Sequence, residues 1–124
     1  MISSRILLAF AVCVGCSGTA QTDIADTTVA GQTFHVFREG PMPAAGVMTT
    51  IVIKPLTGTR PDVLEVWVGT AETEDAQKTT CIYDANDGDF DCDVTCANPL
   101  PAGSKIWFEI TAGDIVSTGS VDIK

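Results

Sequence analysis

The chain has 124 residues, with 16 acidic against seven basic side chains and a formal charge of −9. That length holds one domain, and that charge excludes nucleic acid and anionic lipid headgroups as electrostatic partners. It also keeps an exported protein soluble and apart from its neighbours, so a charge excess does not by itself identify a cationic ligand.

The first residues are not expected to belong to the fold. Met1 to Arg5 is a short, weakly basic start, and Ile6 to Val14 is an apolar run too short to span a bilayer. It has the length of a signal-peptide hydrophobic region. Gly15, Cys16, Ser17 and Gly18 follow. An apolar run ending in a small residue and then a cysteine resembles a bacterial lipoprotein signal. The resemblance covers the export segment alone. It departs from the usual pattern at Cys13, where Leu is common.

The resemblance implies a signal peptide over 1–15 and a mature chain starting at a lipidated Cys16. Acyl chains there would anchor the protein to a membrane, since two chains hold stably where one binds marginally. In such lipoproteins a residue other than Asp after the cysteine favours release to the outer membrane, and here that residue is Ser17. The rival reading is ordinary signal cleavage after Ala20, with Gly18 and Ala20 as the small pair. That product would be periplasmic or secreted. Both readings export the chain.

Residues 16–27 are small and polar, and read as the lipidated cysteine and a flexible tether. Over 28–124 Gly and Pro recur at the spacing of strand connections, with β-branched runs between. The expected strands are a short one near Thr28–Ala30, then Gln32–Arg38, Val47–Lys54, Val63–Gly69, Thr79–Ala85, Asp89–Val94, Lys105–Thr111, Asp114–Ser117 and Ser120–Ile123. Val47–Lys54 is apolar at nearly every position, as a central strand covered on both faces would be. Val63–Gly69 and Lys105–Thr111 alternate. The expectation is an all-β, single antiparallel β-sandwich of about 7–9 strands with immunoglobulin-like architecture. The immunoglobulin order Cys…Trp…Cys is absent, because Trp67 precedes all the cysteines of the domain.

In an oxidising compartment Cys81, Cys92 and Cys96 allow one bridge and one leftover thiol. Two hairpin registers compete. A two-residue turn flanked by Ala85 and Gly88 pairs Tyr83 with Phe90 and Cys81 with Cys92. A three-residue turn with Gly88 left-handed puts Cys81 opposite Asp93, and the bridge then falls to Cys96. Cys81–Cys92 is the expected pairing, with Cys81–Cys96 next. Zinc on the three cysteines and His35 is disfavoured, because the spacing lacks a close Cys-x-x-Cys pair.

The same stretch carries Asp84, Asn86, Asp87, Asp89 and Asp91, oxygen donors close enough in sequence to suggest a calcium loop. It departs from the Asp-x-Asn-x-Asp-Gly pattern it resembles. Gly88 comes one residue early, and Val94 stands where a closing Glu is needed. Aspartates alternating along a strand are also what a solvated edge carries, where charge discourages aggregation. The acidic edge is therefore the first reading and calcium the alternative.

His35 lies on a strand with no Gly-x-Ser-x-Gly elbow anywhere, and reads as structural. His35 with Met42 and Met48 as a soft copper site has no defensible spacing. Trp67 and Trp107 share a strand face with Glu65 and Glu109. They form a binding patch if that face is open, and packing if it is covered. The functional expectation is a non-enzymatic, lipid-anchored envelope protein, a binding or structural module with no catalytic residue and no required cofactor. Its partners are a membrane through the anchor, no nucleic acid, and an unidentified protein or carbohydrate. The alternative is a calcium-binding module.

Overall fold

The computed structural model describes residues 20–70 and 78–124. Nine strands and no helix occur among the described residues: β1 Gln21–Val29, β2 Gln32–Glu39, β3 Met48–Pro55, β4 Val63–Gly69, β5 Thr79–Thr80, β6 Ile82–Asp84, β7 Asp89–Thr95, β8 Lys105–Ala112 and β9 Ile115–Asp122. They form two sheets, β1-β2-β3-β7-β6 and β5-β4-β8-β9. Every pairing is antiparallel.

The inner faces of both sheets meet in one buried cluster. The five-stranded sheet gives Phe34, Val36, Ile51, Ile53, Phe90, Cys92 and Val94, and the four-stranded sheet gives Leu64, Val66, Ile106, Phe108 and Ile110. Phe34 meets Phe108 edge to face, with ring centroids 5.8 Å apart. Each such side chain stabilises the fold by about 1.5–3 kcal/mol through burial. Alternation along β2, β4 and β8 supplies this surface, as expected for the last two.

Strand structure begins earlier in the sequence than expected. Residues 21–27, read as tether, belong to β1, which runs antiparallel to β2 from Gln21↔Glu39 to Val29↔Gln32. The register shifts between Asp23 and Ala25, so Ile24 is buried and Ala25 also packs on the core. This bulge breaks the period of two by which a strand is read from sequence. Ala30 and Gly31 close the hairpin with φ of 52° and 77°, the handedness of a two-residue turn that matches strand twist. Cys16 lies outside the described residues.

β9 is likewise one strand where two were expected. Gly119 interrupts the side-chain pattern for a packing reason. A Cβ there would collide with Val29 of β1 and press on Phe108. Glycine thus lets the two edge strands β1 and β9 approach each other.

The expected strand over Thr79–Ala85 instead changes sheets midway. Thr79 and Thr80 pair with β4, and the Cys81 amide still donates to the Leu64 carbonyl at 2.8 Å. The next residue, Ile82, pairs with Asp91 of β7 in the other sheet. The crossing point is covalently fixed: Cys81 is bonded to Cys92, with Cα atoms 4.4 Å apart. Cys96 is the free thiol among the described residues; it is half-buried, and burial raises its pKa. With two of its three cysteines oxidised, the zinc set does not exist.

Candidate functional site

The hairpin that carries the aspartates combines features of both expected turns. Tyr83 faces Phe90 and Asp84 faces Asp89, the register that brings Cys81 to Cys92. Ala85 and Gly88 do not pair, however. The loop is four residues long, and Gly88 takes a φ of 71°, as the three-residue reading required of it. The Gly88 amide donates to the Asp84 carbonyl at 2.8 Å. The Asn86 amide donates to Asp84 Oδ1 at 2.9 Å. Asp84 therefore organises the turn, as aspartates at such positions do.

Antiparallel register then sets these acids into a wider face. Across the outer side of the five-stranded sheet one row reads Asp26, His35, Lys54, and the next reads Asp23, Phe37, Val52, Asp91, Ile82. Phe37 and Val52 are buried although they point away from the main core. They form an apolar floor. Beside them lies a groove of about 370 Å³, and five of its nine lining residues are carboxylates: Asp23, Glu39, Asp87, Asp89 and Asp91. Lys54 and His35 are the basic groups on its walls.

His35 has a carboxylate at each ring nitrogen, Asp26 at 2.5 Å from Nδ1 and Asp23 at 3.1 Å from Nε2. Only the imidazolium donates from both nitrogens. The Asp26 hydrogen bond raises the His35 pKa most. Burial opposes it, and Asp23 adds to the rise. His35 thus ties β1 to β2 by charge.

The hairpin end of the groove is under electrostatic stress. One carboxylate oxygen from each of Asp84, Asp87 and Asp89 lies within 4.8 Å of the others. Asp89 is 6% exposed, and its Oδ1 has no hydrogen-bond partner. Burial raises its pKa first, then repulsion from Asp91, Asp87 and Asp84, with Lys54 offsetting part, to about 6. Burial also raises Asp91, followed by repulsion from Glu39, Asp84, Asp87 and Asp93. Unlike these, Asp93 is exposed and accepts the Thr50 hydroxyl at 2.7 Å.

Of the acids singled out from sequence, Asp84, Asp87 and Asp89 converge and Asp91 stands next to them on the groove. Asn86 contributes its backbone amide to the turn. Asp23, Glu39 and Lys54 were not anticipated. Alternation alone could have put Glu39 on the face of His35, but joining it to Asp91 needs the register across three strands.

The remaining candidate sites are not assembled. His35 faces Lys54 while Met48 faces Thr95, so six residues of β3 separate the rows, about 20 Å at strand spacing. No copper ion spans that. Trp67 and Trp107 are cross-strand partners and stack with centroids 6.4 Å apart. Trp67 is 1% exposed, and the Trp107 indole donates to the Gly69 carbonyl at 3.0 Å. Lys78 lies 4.9 Å over the Trp67 ring and 3.4 Å from Glu109. Trp67 is thus packed, and Trp107 is half-buried with its indole N–H engaged.

Comparison with protein-family models, with curated proteins and with solved structures finds no match to this chain.

Proposed function

We propose that this chain is a non-enzymatic binding module, exported and lipid-anchored through Cys16 at a bacterial outer membrane, that takes a cationic ligand on the outer face of its five-stranded sheet. The observation that carries this reading is the groove lined by five carboxylates around the buried ring of Phe37. The five carboxylates outnumber Lys54 and His35 on the walls, and an excess of one sign in a cleft focuses the field on a ligand of the opposite sign. The same arrangement argues against proton-transfer chemistry through histidine, because both nitrogens of the chain's one histidine are engaged by carboxylates.

We read the two sheets as an immunoglobulin-like sandwich. Support comes from the strand order: β2-β3-β7-β6 follows the A-B-E-D order of that fold, and β4-β8-β9 its C-F-G order. β1 and β5 are then extra edges. The disulfide differs, since it joins the sheet-switching strand to β7 and not the B and F positions. Such an architecture hosts many functions and selects none, so the functional reading rests on the groove.

Two measurements test the reading. Mass spectrometry of protein from its native host is expected to find Cys16 acylated at the mature N-terminus. A chain beginning at Gln21 would remove the anchor. Titration of the ¹⁵N-labelled protein with a lysine-rich peptide is expected to shift amides around Glu39, Asp87 and Asp91, with affinity falling as salt rises. Shifts spread evenly over the surface would contradict the groove.

A further inference from the structure

We propose that Asp84, Asp87 and Asp89 form a divalent-cation site at the hairpin end of the groove, with calcium as its ion. The inference rests on the reading of this face as a cation-binding surface, and names the ligand for one end of it.

Three aspartates in a turn are no site in themselves. The distinguishing group is Asp89, a carboxylate 6% exposed whose Oδ1 meets no donor. Buried carboxylate oxygens are otherwise paired or bound to metal. Two further carboxylates, Asp84 and Asp87, each bring an oxygen within 4.8 Å of an Asp89 oxygen. That spacing repels in the absence of a cation. It is also the spacing a cation requires: oxygens bound to one calcium at about 2.4 Å lie no more than about 4.8 Å apart. An ion there would neutralise the buried Asp89 carboxylate and cancel the mutual repulsion in one step.

The donors select the ion. All three are carboxylate oxygens, which suit hard cations and not the soft metals that prefer sulfur or imidazole. Three donors converging from a four-residue loop and its two flanking strand ends leave positions for water. Calcium accepts such irregular, partly hydrated sets, whereas magnesium demands near-octahedral geometry. Asp87 is exposed and Asp84 half-buried, so the ion can enter from solvent on the side away from Asp89. Asp91 and Lys54 remain outside the ligand set, and their opposite charges tune the field at the site.

The test is calcium titration of the processed full chain by calorimetry and by thermal unfolding against chelator. A dissociation constant of ~0.1–1 mM is expected, as in extracellular calcium modules, with an unfolding midpoint that rises with calcium. Asp89→Asn and Asp87→Asn should each weaken binding at least ~10-fold. Asp87 is exposed, so its variant tests the site even if Asp89→Asn perturbs folding. Asp114→Asn, an exposed acid on another loop, should bind as the unaltered chain does. Absence of heat and of any midpoint shift at millimolar calcium would overturn the site, as would unchanged affinity in both hairpin variants. If calcium fails while the lysine-rich peptide still binds the groove, the ion assignment falls and the cationic-ligand reading stands. If both fail, both fall.

Discussion

The two faces of the five-stranded sheet are made by the same strands and do opposite things. On β7, Phe90, Cys92 and Val94 enter the core while Asp89 and Asp91 turn to the groove. On β2, Phe34 and Val36 go inward while His35, Phe37 and Glu39 go outward. Period-two alternation would ordinarily make the second set a plain solvated surface. Here it has a buried floor in Phe37 and Val52 and a buried carboxylate in Asp89. The inner face is stabilised by dispersion and burial, and its buried Thr49 hydroxyl is satisfied by the Pro41 carbonyl. The outer face retains charge in a poorly solvated place, a cost to stability of the kind that accompanies binding sites. Burial by itself does not distinguish core from site. An unsatisfied buried charge does.

Substitutions can break this contrast, and the largest effect belongs to the inner face. Phe108→Ala leaves a cavity opposite Phe34 and should destabilise by about 3–5 kcal/mol in chemical denaturation. Removing the bridge by Cys92→Ser should cost about 2–4 kcal/mol, because the strand would be free to leave its crossing point at Cys81. Both losses should be nearly independent of calcium and of pH around neutrality.

The outer face should respond in the opposite sense. Asp89→Asn removes a buried charge and is expected to stabilise the calcium-free protein by about 1–2 kcal/mol at pH 7–8. The sign follows from linkage. The folded-state pKa is raised from 3.8 to about 6, so the native state holds a proton that the unfolded state has lost between those values. Stability therefore falls as pH rises from about 4 to about 6, and the variant should lack that fall. Below pH 4 the two proteins should converge. The smallest effect is at His35, half-exposed beside more exposed acids. Its pKa is raised, so its contribution is complete below 6.5 and is lost as pH rises through the folded value. His35→Gln should cost about 1 kcal/mol or less in mild acid, and the gap should close at alkaline pH.

Much of the inner face was legible because alternation is a local property. Leu64, Val66, Ile106, Phe108 and Ile110 declare their side from neighbours two residues away. β1 was hidden by its bulge at Asp23–Ala25, and the continuity of β9 by Gly119, whose reason lies on another strand. The hairpin register was narrowed to two choices by the residues alone. The fold took the pairing of one and the left-handed Gly88 of the other. The site was half-readable for the same reason. Asp84, Asp87, Asp89 and Asp91 are neighbours in sequence, so their convergence could be suspected. Asp23, Glu39 and Lys54 join them through pairings across β1, β2, β3 and β7.

Asp89, a carboxylate under electrostatic stress, is the group on which the proposed cation site depends. Titration of its side-chain carboxyl by ¹³C NMR, with chelator and then with saturating calcium, measures this directly. A midpoint near 6 is expected without calcium, with a large downward shift when the ion is bound, since metal competes with the proton for the same oxygens. A midpoint in the ordinary aspartate range without calcium, or one that calcium does not move, would contradict it.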